Sequence, residues 1–399
     1  MSSLTNTDDT IYLDHAATTP VDPVVLEAML PYFSERFGNP SSIYHLGQES
    51  YAAIEVARAR VAGVLGCQAG EIVFTSGATE SDSLALRGVA WAARFSGGDP
   101  EFAPHIITTA IEHHAIIATA HSLERQGFSA TYVEPDAEGI VHPRQIAAVL
   151  RPETCLISVM YANNETGAIQ PLQEIAAIAR EQSILFHTDA VQAAGTLPLE
   201  VDKLGVDLMS LSAHKFYGPK GVGVLYVRRG SEIDYLHVGG GQEQGRRGGT
   251  ENVPGIVGLG LALERADSWR DRYAQHCGDL RDRLAVGLLD AIPDATINGP
   301  VDPGARLPNN LNITIPGVQG ETILLSLDGL GIAASAGSAC TTGNTEPSHV
   351  LLAMGLAEAA CRSTLRFTVG RGNTLEQISD AVTGVEESVM RIRDLVRSA

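Results

Sequence analysis

Short unbroken apolar runs alternate with helix-like segments through the middle of this chain, and that alternation restricts the fold more than any other feature. Strand-like EIVF (Glu71–Phe74) precedes a helix starting near Thr79, and HIITT (His105–Thr109) precedes one starting near His114. LISVM (Leu156–Met160) leads through a polar turn into the helical PLQEIAAIAREQ. ILFHT (Ile184–Thr188), LMSL (Leu208–Leu211) and GVGVLYV (Gly221–Val227) follow. Strands that are apolar on both faces need cover on both faces, and a strand–helix–strand succession makes the sheet mostly parallel. The reading is an α/β fold with a large domain over residues 20–262. Residues 1–19 and 263–399 are expected to form a smaller α+β domain. That part opens with a long Arg- and Leu-rich helical pattern and carries the strand-like segments LNITI and TLRFTV. Its last helix opens at Thr374 with Gln377 three residues on, the spacing of a capping box.

Composition narrows the function. At 399 residues and 44% hydrophobic, the chain can bury a large core. A net charge of −19 argues against nucleic acid and anionic membrane surfaces as partners, since both need a basic face. It does not exclude a small anion held by backbone amides in a local pocket. The polar, acidic N-terminus lacks the basic and apolar regions of a signal peptide, and no apolar run is long enough to span a bilayer, so a cytoplasmic location is expected. Five cysteines without CxxC spacing argue against a disulfide framework and a structural zinc site. Cys67 and Cys155, beside apolar residues, read as inert core thiols.

In an open α/β sheet, ligands bind beyond the carboxyl ends of the strands. Here five successive strands end in polar groups: Thr75-Ser76-Gly77-Ala78-Thr79-Glu80, Glu112-His113-His114, Asn163-Asn164-Glu165, Asp189 with Gln192 one turn on, and Ser212-Ala213-His214-Lys215. Any one of these loops could be polar for no special reason; all five together point to a site. The turn Ser76–Thr79 opens a helix and offers amides to an anion, although it is no P-loop. Asp189 lies in an apolar frame and needs a cationic partner, unless it simply caps a helix. Only three of the 28 basic residues are lysines: Lys203, Lys215 and Lys220. Lys203 reads as solvated and Lys220 as a turn residue, which leaves Lys215. Pyridoxal phosphate accounts for the set: a lysine Schiff base, an acid on the pyridinium nitrogen, an imidazole on the ring and phosphate donors.

Cys340 sits in the small-residue loop ASAGSACTTGNTEP, where a thiol is either a tunable nucleophile or a loop cysteine of no consequence. Arg366, on a strand-like segment, suits a substrate carboxylate, or is one of 25 arginines at the surface.

The ordered motifs YLDHAATTP, FGNPSSIYHLG, IVFTSGATES, EHHAI, NNETGAIQP, HTDAVQAAG, SAHKFYGPKGVG, GGGQEQGRRGGTEN, SAGSACTTG, EPSHVLLAMG and LRFTVGR cover nearly the whole chain. In them the chain resembles the cysteine desulfurases of the NifS/IscS-like type, in the class V branch of pyridoxal-phosphate-dependent aminotransferases. The resemblance implies the fold-type-I architecture of the aminotransferases, and a persulfide carried from L-cysteine to an acceptor protein for iron–sulfur cluster assembly or thiolation. It implies that Lys215 binds the cofactor covalently, Asp189 pairs its ring nitrogen, Gln192 its ring hydroxyl oxygen, and that His113 stacks on it and moves protons. Ala78, Thr79, Ser212 and His214 would hold the phosphate. Thr250 would reach the phosphate of a neighbouring subunit, which implies a homodimer. Asn164, beside the cofactor, and Arg366 would hold the substrate carboxylate, and Cys340 would take the sulfur.

Three positions depart from the family pattern. Asp82-Ser83 stands where paired asparagines are usual, Ile111 where threonine commonly precedes Glu-His, and Thr342 where serine commonly follows SACT. Competing readings are an aminotransferase or another carbon–sulfur lyase, a selenocysteine lyase, a non-catalytic iron–sulfur scaffold, and a metal hydrolase built on His113, His114, Asp189 and His214.

Overall fold

The computed structural model describes residues 10–96, 102–336 and 346–398. Its twelve strands are β1 Ile11–Tyr12, β2 Ile72–Thr75, β3 His105–Thr109, β4 Ser129–Val133, β5 Thr154–Ser158, β6 Leu185–Asp189, β7 Leu208–Ser212, β8 Gly223–Val227, β9 Thr296–Asn298, β10 Asn310–Thr314, β11 Ile332–Ala333 and β12 Thr364–Thr368. Seven form one sheet in the order β2-β8-β7-β6-β5-β3-β4. The neighbours from β7 to β4 pair in parallel. β8 alone runs the other way, antiparallel to both β7 and β2. The carboxyl ends of β2, β3, β5, β6 and β7 therefore share one rim.

Burial explains why these segments are strands. Every residue of β2, β3, β7 and β8 is buried, as a sheet covered on both faces requires. The covering helices are amphipathic. In Leu172–Glu181 the buried residues are Leu172, Ile175, Ala176 and Ala179, one stripe at helical spacing. Each fully buried Val, Leu or Ile contributes roughly 1.5–3 kcal/mol, so the core dominates over any single polar contact. β4, an edge strand absent from the apolar pattern, is mostly half-buried and does not advertise itself as a run.

The 39-residue helix Val253–Ala291 is longer than the segment read from the sequence and passes straight through residue 262. Its first part packs with the large-sheet cluster through Val253, Ile256, Val257, Leu259, Ala262 and Leu263. Its second part packs through Cys277, Leu280, Leu284 and Leu288 with β10 and β12. β1 pairs with β11, and Asp14 bridges to Thr368, so the N-terminal segment joins the second cluster. The helix Leu375–Ser398 carries the expected box: Thr374 Oγ1 accepts from Gln377 N–H, and Gln377 Oε1 accepts from Thr374 N–H, both at 3.3 Å. No helix among the described residues is long and apolar enough to cross a membrane.

Candidate active site

The rim opens on a cavity of about 570 Å³, a usual size for a small-molecule site. Lining it are Ala78, Thr79, His113, Asn164, Asp189, Gln192, Ser212, His214, Lys215 and Arg366, together with Ala16, Ala17 and Thr18. The strands explain the convergence: β2 delivers the Ser76–Thr79 turn, β3 His113, β5 Asn164, β6 Asp189, and β7 Ser212 to Lys215. Arg366 comes from β12 across the cleft. Thr250 does not line this cavity; it borders a smaller hollow with Ser76 and Gly221. Cys340 and Thr342 lie outside the described residues.

Lys215 follows β7 in a short 3₁₀ turn, and its Nζ donates to Ala16 O at 2.6 Å and Ala17 O at 2.8 Å. Ala16 O also accepts from Gln192 Nε2 at 3.1 Å. Thr18 Oγ1 lies 3.1 Å from His214 Nδ1, and Thr19 N–H donates to His214 O at 2.8 Å. The N-terminal ATT segment is thus a wall of the cleft. Reading strand ends missed it, because it arrives from the other end of the chain and has no periodicity; only its place in a motif marked it.

The charges are set by burial. Asp189 is 6% exposed, and its Oδ1 accepts from Val191 N–H at 2.9 Å. Burial raises its pKa to about 6, against the pull of Val191 N–H and the nearby Lys215 charge. His113 is lowered to about 4 by burial and by the Lys215 charge, so its ring is neutral at neutral pH. Its Nδ1 accepts from Ala115 N–H at 3.1 Å as the cap of His114–Glu124. With Nδ1 accepting, the proton of the neutral ring sits on Nε2. His214 is lowered to about 4 by burial, then by Lys215 and Lys220. Arg366, 3% exposed, donates through Nη1 to Asn164 O at 3.0 Å and through Nη2 to Asp14 Oδ1 at 2.7 Å. Its Nε is buried without a hydrogen-bond partner. It is not the surface arginine that composition alone allowed.

At the opposite end, the helix Ala78–Ser96 presents its first-turn amides to the cavity. Glu80 Oε2 already takes Ser76 N–H at 2.7 Å, and Arg247 Nε binds Glu80 Oε1 at 2.8 Å. Burial alone would raise Glu80, but the bonds from Arg247 and Ser76 hold its pKa down. Gly223 must be glycine: a Cβ there would lie 2.7 Å from Gly77 Cα, so β8 starts backbone against backbone with this turn.

The remaining candidates sort by environment. Lys203 is exposed and paired with Glu200, and Lys220 sits exposed at the rim. Burial pushes the Cys67, Cys155 and Cys277 thiols up to about 12 and raises that of Cys361, so all four stay protonated and unreactive. His113, His114, Asp189 and His214 form no metal-binding group among the described residues.

Burial raises the pKa of two glutamates at the rim. Glu112 is fully buried, with Oε1 accepting from Thr109 Oγ1 and Met160 N–H while Oε2 has no partner. Burial raises its pKa to about 8, and that of Glu165 to about 7. Unfolded, both would ionise near pH 4.3, so the folded state holds more protons and loses stability as pH rises through the folded values. Above about pH 7.5 the histidines are largely neutral in the folded and the unfolded chain alike, leaving, up to about pH 8.5, a fall of at most about 1.4 kcal/mol per pH unit per proton. Urea midpoints measured across this window are expected to decline. Glu112→Gln is expected to flatten the decline, and a parent curve that is flat or rising would refute it.

The family model for Aminotransferase class-V matches residues 11–380. The chain belongs to that family. Two relatives named cysteine desulfurase IscS resemble the chain over 385 residues, 96% of its length. That of Methanosarcina thermophila is 50% identical, with 93% of its own length covered, and that of Dictyoglomus turgidum 47%, with 96% covered. Among solved structures, a NifS-like protein superposes with a TM-score of 0.88 at 39% identity, covering 96% of this chain and 99% of that one. SspA in complex with cysteine gives 0.78 at 37% identity, covering 92% and 100%. The family's fold-type-I architecture accommodates the parallel sheet, its reversed strand β8 and the smaller second unit.

Proposed function

We infer that this protein is a cysteine desulfurase that uses pyridoxal 5′-phosphate to remove sulfur from L-cysteine. It releases L-alanine and leaves a persulfide on Cys340 for an acceptor protein. The observation that carries the reading is the convergence of Lys215, Asp189, His113 and a helix N-terminus on one cavity, in a chain about half identical to proteins of that name.

The residues fit the cofactor. Asp189 is a buried carboxylate suited to a protonated ring nitrogen, and the first-turn amides at Ala78 and Thr79, with Ser212 and His214, suit a phosphate. Gln192 suits the ring hydroxyl oxygen, and His113 the ring face. When bound, the cofactor stores the electron pair released at the substrate Cα and makes the carbon–sulfur bond labile.

The chain's own residues divide the remaining work. Lys215 would anchor the cofactor through Nζ and, with that nitrogen free, would take the Cα proton. Arg366, with Asn164, orients the substrate carboxylate, since both line the cavity. His113 is neutral with its proton on Nε2, which leaves that N–H as a hydrogen-bond donor toward the reacting groups. Cys340 attacks the substrate sulfur as a thiolate and keeps it.

Thr250, outside the cavity of its own chain, is assigned to the phosphate of the other subunit in a homodimer. The two packing clusters are assigned to a large cofactor domain and a small domain that carries the Cys340 loop, located in the cytoplasm. The acceptor is an iron–sulfur scaffold or a thiolation enzyme.

The test compares alanine and sulfide made from L-cysteine with a reductant present. The parent is expected to release both in equal amounts. Cys340→Ala is expected to keep the cofactor's visible absorption but fall to background sulfide. Full activity in Cys340→Ala would replace this reading with a carbon–sulfur lyase that needs no persulfide.

A further inference from the structure

Beneath Asp189 lies a second aspartate that the reaction, as described, does not use. Asp82, on the helix Ala78–Ser96, is fully buried. No hydrogen bond of good geometry reaches either of its carboxyl oxygens. His187 stands two residues before Asp189 on β6, on the same face of the strand. Its Nε2 is 3.7 Å from Asp82 Oδ1. Both ring nitrogens of His187 are occupied by hydroxyls, Nδ1 by Ser158 Oγ at 2.9 Å and Nε2 by Ser210 Oγ at 3.0 Å. A buried carboxylate with no well-formed hydrogen bond and no close cation is among the costliest arrangements a core can hold, and taking up a proton relieves it.

The groups shown to act on Asp82 come from three places: His187 and Asp189 from β6, Ser210 from β7, and Glu112 from the turn after β3. His187 is lowered to about 3 by burial, so it offers no positive charge. Burial raises Asp82 well above the usual carboxylate range, the charge of Asp189 raises it further, Ser210 offsets part, and Glu112 adds to the rise. Asp189, by contrast, has a backbone donor and the field of Lys215. Two interacting buried carboxyl groups resist ionising together, and the one with the backbone donor and the nearby cation ionises first.

We propose that Asp82 is a neutral carboxylic acid in the working protein, a positioning residue whose retained proton leaves Asp189 as the single anion beneath the cofactor ring. The site then holds one negative charge to match one protonated ring nitrogen. The departure from asparagine at position 82 becomes a change of atoms and not of charge. The part played by Asp189 rests on the cofactor reading above; the protonation of Asp82 does not.

The first measurement is infrared spectroscopy of the parent with isotope-labelled aspartate at pH 7. The label separates aspartic acid from the carboxyl groups of Glu112 and Glu165. One buried aspartic-acid carbonyl band is expected, shifted by the label and absent from Asp82→Asn. No labelled acid band at pH 7, or a band that survives in Asp82→Asn, overturns the proposal, and the parent measurement stands even if the variant does not fold. The second measurement is the visible absorption of the cofactor-loaded protein. Asp82→Asn is expected to leave the maximum in place at pH 7, whereas Asp189→Asn moves it. A shift in Asp82→Asn as large as that in Asp189→Asn means that a charge was lost at Asp82, and overturns the proposal. An infrared band without any visible absorption in the parent would remove the cofactor reading and leave Asp82 neutral as proposed.

Discussion

Lys215→Ala is expected to abolish the covalently anchored cofactor's visible absorption and to lower turnover of L-cysteine by at least about 10³-fold, within the range that a positioned acid–base group contributes. Two losses combine: the amine proposed to fix the cofactor disappears, and so does the base proposed to take the Cα proton. An added small amine would restore part of the proton transfer. Lys220 lines the same cavity from an exposed turn, which makes it the natural control. Lys220→Ala is expected to keep the visible band. If instead Lys215→Ala keeps it and Lys220→Ala loses it, the assignment of the anchoring lysine is wrong.

Arg366→Ala is expected to lower kcat/KM for L-cysteine by about 2–5 kcal/mol, or roughly 30- to several-thousand-fold, as when one partner of a buried, hydrogen-bonded charge pair is truncated. The guanidinium does two jobs. Nη2 pairs with Asp14 and Nη1 holds Asn164 O, which fixes the fork at the cavity where the substrate carboxylate is proposed to bind. Removing the guanidinium strands Asp14 beside the cleft, so part of the loss comes from a rearranged N-terminal segment. Arg366→Lys separates the terms. It keeps the charge near Asp14 but cannot reproduce the fork, so KM should rise with kcat largely retained. Equal kcat/KM in parent and Arg366→Ala would mean that the substrate carboxylate is held elsewhere.

Much of the site was legible before any coordinates because function sits at the ends of the most recognisable elements. The unbroken apolar runs located β2, β3, β5, β6 and β7 within a residue or two, and the residues following them line the cavity. The pattern failed where burial is partial or the chain changes neighbours. β4 is half-buried at an edge, and β8 gives no sign of running against the rest. The long helix Val253–Ala291 begins ten residues before the Arg-rich segment that opens at residue 263, because its first stretch is buried against the sheet and reads as apolar chain rather than as an amphipathic helix.

By itself the sequence determined that a parallel sheet would form, that its carboxyl rim would be polar, and that Lys215 and Asp189 would stand at strand ends. Those outcomes follow from local periodicity and from the short reach between a strand and the turn after it. Tertiary structure alone decided which distant groups complete the site: Ala16 and Ala17 on Lys215, Asp14 on Arg366, and His187 against Asp82. It also decided which ionisable groups carry charge. Protonation depends on how much water and how many partners each group retains after folding, and neither quantity is local to the chain.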